Sequence, residues 1–341
     1  MRVKKENVTI SDLAKALGTS ASTVSRALND HPKISQATKD KVKKIALSMG
    51  YVHSIKAAIQ SNFSSNTIGI IVPSFSQKKY NILIESAREV LEAAGYNVVI
   101  SCSSEQPEQD ENLVQLFSSL NFLGIIGSFN FKDKNPSYLQ SFVKEKPLVL
   151  FDKISFELQC GKVMIDHFQA GFRAVQHLLN NGCRNIAHLG GNINCQLTKQ
   201  ISTGYKTAVR NGGMQINKKM EVFSDFLLED VLKATEIIFS QKDKPDGILV
   251  DDILSAQKLI SILQNRKIRI PEDVAVIAIS DEDDYSYFTP SITTIQFPYS
   301  VLGQKAASIL LKQISKEDYT QDNEVIVEPF NLNIRNSSLK K

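Results

Sequence analysis

At 341 residues, with 42% hydrophobic and 22% charged side chains, the chain is long for one domain and apolar enough to bury two or three cores, which excludes a disordered or fibrous protein. No run of about 18 apolar residues occurs, which argues against a membrane span, and the basic start MRVKKENVTISD leads into no apolar segment, so the cytoplasm is the expected location. The net charge of +4 is uneven: the first 50 residues are strongly basic and the rest slightly acidic, which fits phosphate binding by the N-terminus alone, although basic tails also occur on proteins that never touch DNA.

The first predicted elements lie in residues 9–29, TISDLAKALGTSASTVSRALN. Ile10, Leu13, Ala14 and Leu17 fall at i, i+3, i+4 and i+7, one apolar face of a helix. Thr9 caps it and Asp12 completes a capping box. After a break at Gly18 a second helix begins near Ser20. It turns Val24, Ala27 and Leu28 inward and Ala21, Ser22, Ser25 and Arg26 outward. Two short helices joined by a tight turn make a helix-turn-helix, whose second helix can enter a DNA major groove. Residues 31–50 predict a third helix capped by Ser35, with Val42, Ile45, Ala46 and Met49 packed on the first two. Residues 51–66, ending in SNFSSN, read as a linker.

From residue 67 apolar runs alternate with helical patterns. Strands are expected at 67–74, 96–101, 123–128 and 147–152, with helices at 80–94, 108–120 and 136–144 between them. The alternation resumes with strands at 185–191, 221–226, 247–252 and 274–280, and helices at 168–181, 198–212, 229–240, 253–265 and 299–314. Such alternation builds βαβ units and a buried parallel sheet. The predicted architecture is an all-α headpiece at 1–50, a hinge at 51–66 and an α/β core at 67–341. The core comprises two doubly wound parallel-sheet lobes, as in periplasmic binding proteins. The first lobe is expected over about 67–165 and 294–322, the second over about 166–293 and 323–341. A ligand cleft belongs between them, beyond the carboxyl ends of the strands. Cys102, Cys160, Cys183 and Cys195 lack metal-site spacing, and the five histidines show none either, so no metal or cofactor is expected.

The run T-I-x-D-L-A…S-x-S-T-V-S-R-A-L-N resembles the headpiece of the lactose-repressor/purine-repressor (LacI/GalR) family of bacterial transcription regulators. IGIIVPS, PLVLFDK, HLLNNGCRNIAHLGG, the Gly204–Tyr205 pair, PDGILVDD, IPEDVAVIAISDED and PSITTI follow in family order, so the resemblance covers roughly residues 7–335. It implies a homodimeric regulator, more often a repressor, with near-palindromic operator DNA and a small carbohydrate-like effector as partners. Arg26 is the expected base reader, because bidentate contact with guanine is the commonest specific interaction. Ala21 and Ser22 occupy the positions that tune half-site choice. Thr9, Ser20, Thr23, Ser25 and Asn29 hold phosphates or support the turn. Lys33, Ser35 and Thr38 fall where such headpieces touch phosphates, and Tyr51 closes the headpiece. The hinge departs from the family: Gln60 stands where a leucine wedges into the minor groove, and an amide cannot replace an apolar wedge.

The resemblance places Ser74, Ser128, Asp152 and Asp252 in the effector cleft. Carboxylates suit sugar hydroxyls there, although a strand-end aspartate also suits a helix cap. Phe226 falls where an aromatic stacks on the ligand. Ile201 replaces a common arginine, with Lys199 and Gln200 nearby, so a strong anchor is missing or moved. Phe297 replaces a glutamine. Tyr80 keeps one aromatic of a family pair and Lys79 replaces the other. A cation at position 79 favours an acidic ligand such as a uronate or sugar phosphate, or else it snorkels at the rim. Two rival functions are a periplasmic sugar-binding protein, opposed by the headpiece, and an enzyme, for which no G-x-S-x-G, GxGxxG or Walker motif is present.

Overall fold

Helix α1 (Ile10–Leu17) starts at Thr9, whose hydroxyl accepts from the Asp12 amide while the Asp12 carboxylate accepts from the Thr9 amide at 2.9 Å, a reciprocal capping box. It ends at Gly18, which adopts the left-handed conformation with φ of 61°. Helices α2 (Ala21–Leu28) and α3 (Gln36–Ser48) follow. Leu13, Ala14, Val24, Ala27, Val42 and Ala46 close a small core. The computed structural model describes residues 9–28, 31–49, 66–131, 137–281, 287–316 and 323–340.

The body holds two six-stranded sheets. The first contains β1 (Thr67–Val72), β2 (Asn97–Cys102), β3 (Gly124–Gly127), β4 (Leu148–Phe151), β5 (Gly161–Ile165) and β11 (Val325–Glu328), in the order β11-β5-β4-β3-β1-β2. Every neighbouring pair in it is parallel. The second contains β6 (Ile186–Gly190), β7 (Glu221–Phe223), β8 (Gly247–Val250), β9 (Ala275–Ser280), β10 (Thr293–Gln296) and β12 (Asn331–Asn333), in the order β12-β10-β9-β8-β6-β7. Only the short β12 runs antiparallel. β1 and β9 are buried along their whole length, which is why their sequences are unbroken apolar runs.

Helices cover both faces of each sheet. On the first, α4 (Lys78–Ala93) and α11 (Tyr299–Ile314) lie together on one side, and α5 (Pro107–Ser119) and α6 (Ser137–Glu145) on the other. On the second, α7 (His167–Asn180) and α8 (Gln196–Asn211) pair on one side, facing α9 (Leu228–Phe239) and α10 (Ile253–Asn265) across the sheet. The paired helices approach closely: a Cβ on Gly204 of α8 would lie 2.1 Å from the Phe168 carbonyl oxygen of α7, and one on Gly303 of α11 would lie 2.3 Å from the Leu83 carbonyl oxygen of α4.

Among the described residues the chain crosses between sheets three times, through Asp166, through Phe297–Pro298 and through Pro329–Phe330. The sheets therefore divide differently from the expected edges. β10, expected at the return of the first lobe near residue 294, pairs with β9 in the second sheet. β11, expected in the second lobe after residue 323, pairs with β5 in the first. One buried apolar cluster runs through both lobes, from Ile68 and Phe151 through Ile165 to Tyr205 and Ile277.

Candidate DNA-binding face and effector cleft

The outward face of α2 carries Ala21, Ser22 and Arg26, all exposed, with Thr23 and Ser25 half-buried beside them. Ser20 precedes the helix as its cap: its hydroxyl lies 2.9 Å from those of Ser22 and Thr23 and accepts from the Thr23 amide at 3.2 Å. Lys33 and Ser35 are exposed at the start of α3, and the Ser35 hydroxyl lies 2.8 Å from that of Thr38. Thr9 and Ser35 thus both cap helices. Asn29, Tyr51 and Gln60 lie outside the described residues.

In the body, residues near the carboxyl ends of both sheets' strands converge. Strand order reverses between β1 and β3 in the first sheet and between β6 and β8 in the second, the points where such sheets leave a crevice. Asp152 follows β4 with φ of 61°, a strained backbone for a non-glycine residue. Its Oδ2 accepts from Lys79 Nζ at 3.0 Å and from the Tyr80 hydroxyl at 2.9 Å. The pair is deep, with side chains 15% and 4% exposed for Lys79 and Asp152. Burial opposes both charges, but their mutual attraction prevails: Lys79 is held above the usual lysine range and Asp152 below the usual carboxylate value. The ammonium also sits 4.8 Å from the ring centre of Tyr80 and 5.8 Å from that of Tyr299. Neither sequence expectation for Lys79 holds as stated, because the cation is neither a rim lysine nor an unclaimed anion receptor.

From the second sheet, Asp281 follows β9 and feels the charges of Lys79, Asp252, Asp152 and Lys78. Burial pushes its carboxyl up to about 6. Asp252 caps α10, accepting from the Ser255 amide at 2.7 Å, so one of its oxygens is engaged in the fold, as the cap alternative has it. Ser128, after β3, is fully buried, with its hydroxyl next to that of Tyr80. Ser74 is half-buried and bonds to Ser76 at 2.8 Å. Phe226, with φ of 65°, stands beside Gly191 at the end of β6, and its carbonyl accepts from Lys258 Nζ at 2.7 Å.

Two candidates depart from expectation. Phe297 is buried and packs among aromatics of the three lobe crossings: His167 at 5.1 Å, Tyr299 at 6.0 Å and Phe330 at 6.4 Å between ring centres. It fills the packing between the lobe crossings rather than lining an open ligand surface. Gln200 is half-buried on α8, while the Ile201 side chain is fully buried in the main apolar cluster and its backbone lies against Gly171 of α7, so the position read as a missing arginine belongs to the core.

Sequence reasoning missed Asp281, Tyr299 and His167. The phrase SDED marked the first only as a family run. His167 is buried with Nδ1 unpartnered among the described residues, and burial lowers its imidazole to about 4, so it is neutral. It also missed a network under the β6–β8 crevice. His188 lies 2.8 Å from Asp251 and 3.3 Å from Glu221, which also meets Lys206 at 2.7 Å and Ser202 at 2.6 Å. Burial disfavours the imidazolium, but the two carboxylates raise His188 to about 9. Burial likewise opposes the Glu221 charge, which His188, Lys206 and Ser202 hold down at about 2.

Comparison with known proteins agrees with this architecture. Residues 9–54 match the model of bacterial regulatory proteins of the lacI family, and residues 175–338 match a periplasmic binding protein-like domain. Catabolite control protein A of Priestia megaterium is 27% identical over 335 residues, covering 97% of this chain and 99% of its own. The crystal structure of the lac repressor dimer bound to operator and an anti-inducer superposes with a TM-score of 0.73 at 21% identity, covering 98% of this chain and 100% of that one. The complex of the transcriptional regulator CelR with cellobiose gives 0.69 at 22% identity, covering 97% and 100%. Among the described residues no helix is long and apolar enough to cross a membrane, and no group of three potential metal ligands converges.

Proposed function

The chain belongs to the lacI family of bacterial regulatory proteins, and from that premise we propose that it is a sequence-specific repressor whose operator affinity is set by a carbohydrate-like effector bound between the two lobes. The observation that carries the reading is the outward face of α2: small and hydroxylated side chains flank an exposed Arg26 on a helix seated on its own core. Arg26 reads a guanine edge, Ser22 gives a permissive contact and Ala21 meets at most a thymine methyl. Ser20, Thr23, Ser25, Lys33, Ser35 and Thr38 serve the phosphates.

Two chains act together, since a near-palindromic operator requires a two-fold axis in the protein. Leu227 and Leu228, 66% and 54% exposed at the start of α9, support such a contact, as does the dimeric state of the lac repressor in its operator complex. Effector binding in the cleft shifts the balance between two lobe arrangements, and thereby the spacing of the headpieces. Its effect on DNA affinity equals its differential affinity for the two states, ~1–3 kcal/mol in typical cases. The cellobiose bound by CelR supports a carbohydrate-like effector. The domain division follows the sheets: a headpiece up to about residue 50, a linker, and two lobes.

Pull-down of sheared DNA from the source organism by wild-type and Arg26→Ala protein, followed by sequencing, tests the proposal. Short near-palindromes that depend on Arg26 are expected, with the variant weakened by about 1–3 kcal/mol per half-site and relaxed at one base. Enrichment that ignores Arg26 would remove it as the base reader.

A further inference from the structure

We infer that the cleft takes an uncharged, hydroxyl-rich effector and discriminates against phosphorylated or carboxylated ones, because Lys79, the cation at its floor, already serves as the counter-ion of Asp152. The inference rests on the reading of the cleft as the effector site and adds the charge class of the ligand.

The arrangement differs from an anion receptor in three ways. Lys79 Nζ is committed at 3.0 Å to a carboxylate that is itself 4% exposed, and the same oxygen takes the Tyr80 hydroxyl. Lys79 and Asp152 therefore cancel as seen by a ligand. Around them the second lobe adds the carboxylates of Asp281 and Asp252, and the first lobe adds the ammonium of Lys78, which also acts on Asp281. Lys258, the cation near Phe226, donates to a backbone carbonyl there. An incoming anion would break the Lys79–Asp152 pair or add a further negative charge beside two carboxylates, in a setting that screens poorly.

The unused groups are neutral. His167 Nδ1 is buried without a partner among the described residues and His167 carries no charge near neutral pH, while the buried Ser128 hydroxyl lies beside that of Tyr80. A hydroxyl can give to one group and take from another, and a carboxylate such as Asp281 accepts from it. Hydroxyls of an uncharged ring satisfy such groups without displacing Lys79. An aromatic wall of Tyr80 and Tyr299 around the ammonium completes the floor.

Two measurements on the full chain test this. Thermal unfolding of Lys79→Met, Asp152→Asn and the double variant needs no ligand. Each single change is expected to lower Tm, and the double change to lose less than the two losses added together, as befits a counter-ion pair. A Lys79→Met protein as stable as wild type, or more so, would overturn the counter-ion role whatever the chain regulates. The second measurement compares Tm shifts by inorganic phosphate, D-glucuronate and D-glucose 6-phosphate at matched ionic strength, in wild type and Lys79→Met, beside their uncharged counterparts. The expected result is no stabilisation by the anions that depends on Lys79. Any uncharged sugar that binds should lose affinity by a factor of about ten or more in its phosphorylated or uronate form. Anion stabilisation present in wild type and absent in Lys79→Met would sink the proposal. Sugar binding that survives Asp152→Asn unchanged would instead count against the cleft reading beneath it.

Discussion

Replacing His188 with phenylalanine removes the centre of a buried charge network and leaves Asp251 without its 2.8 Å partner. Stability at pH 7 is expected to fall by about 3–5 kcal/mol, the usual cost of breaking a buried pair from one side. The pH dependence distinguishes this from lost packing. His188 is raised from 6.5 to about 9, so its stabilisation is complete below 6.5 and fades as pH rises through about 9. The deficit of the variant, followed by thermal unfolding, should shrink over that range. Asp281 has the opposite sense. A carboxyl pushed up from 3.8 to about 6 costs stability in full above pH 6, so Asp281→Asn should raise Tm near pH 7.5, with the gain shrinking as pH falls below 6 and gone below 3.8. An unchanged Tm at pH 7.5 would mean that its charge is already compensated. At this scale the sequence revealed positions better than partners. Asp152, Lys79 and Tyr80 are legible from strand ends and family phrases. That one carboxylate oxygen joins both neighbours across 73 residues is not, because nothing local encodes it. Phe297 illustrates the converse, since an aromatic at a ligand position can equally well fill the packing between the lobe crossings.

Helix pairs α7–α8 and α4–α11 depend on glycine at their closest points. Gly204→Ala places a methyl 2.1 Å from the Phe168 carbonyl oxygen, so the helices must part, at a cost of about 1–3 kcal/mol. Gly18→Ala makes a control of a different kind: no atom lies within 4 Å of the new methyl, and only the φ of 61° resists it, about 1 kcal/mol. Equal losses in the two variants would show that the helix contact is looser than drawn. The long elements were readable because their periods are clean; α10 and α11 fall on the residues expected. Strands β5, β10, β11 and β12 were not, although β3, β4, β7 and β8, as short, fall where strands are expected. β5 hides behind Lys162, a buried lysine whose Nζ bonds to the carbonyls of Leu158 and Cys160 at 2.6 and 2.9 Å, so a charged letter stands inside a buried strand. β12 has three residues, N-L-N, too few to carry a pattern.

At the scale of the molecule, the aromatic contacts among His167, Phe297 and Phe330 join all three lobe crossings, and Tyr299 links them to Lys79 in the cleft. A change at Asp152 is therefore three side-chain contacts from the aromatic junction of the crossings, through Lys79 and Tyr299 to Phe297. Charge on α9 tests the association of chains: Leu228→Glu should convert dimers to monomers in sedimentation and weaken operator binding, with the headpiece untouched. A dimer that persists would place the contact elsewhere. The triple crossing also bears on how the protein is made. The first lobe lacks α11 and β11 until residue 328 has been synthesised, whereas the headpiece helices end at residue 48. Domains fold as their chain emerges from the ribosome, so the DNA-reading part is complete long before the part that answers to the effector. Translation that stops between these points releases a head with no finished body. The late arrival of the two final segments makes effector control the last property the nascent chain acquires.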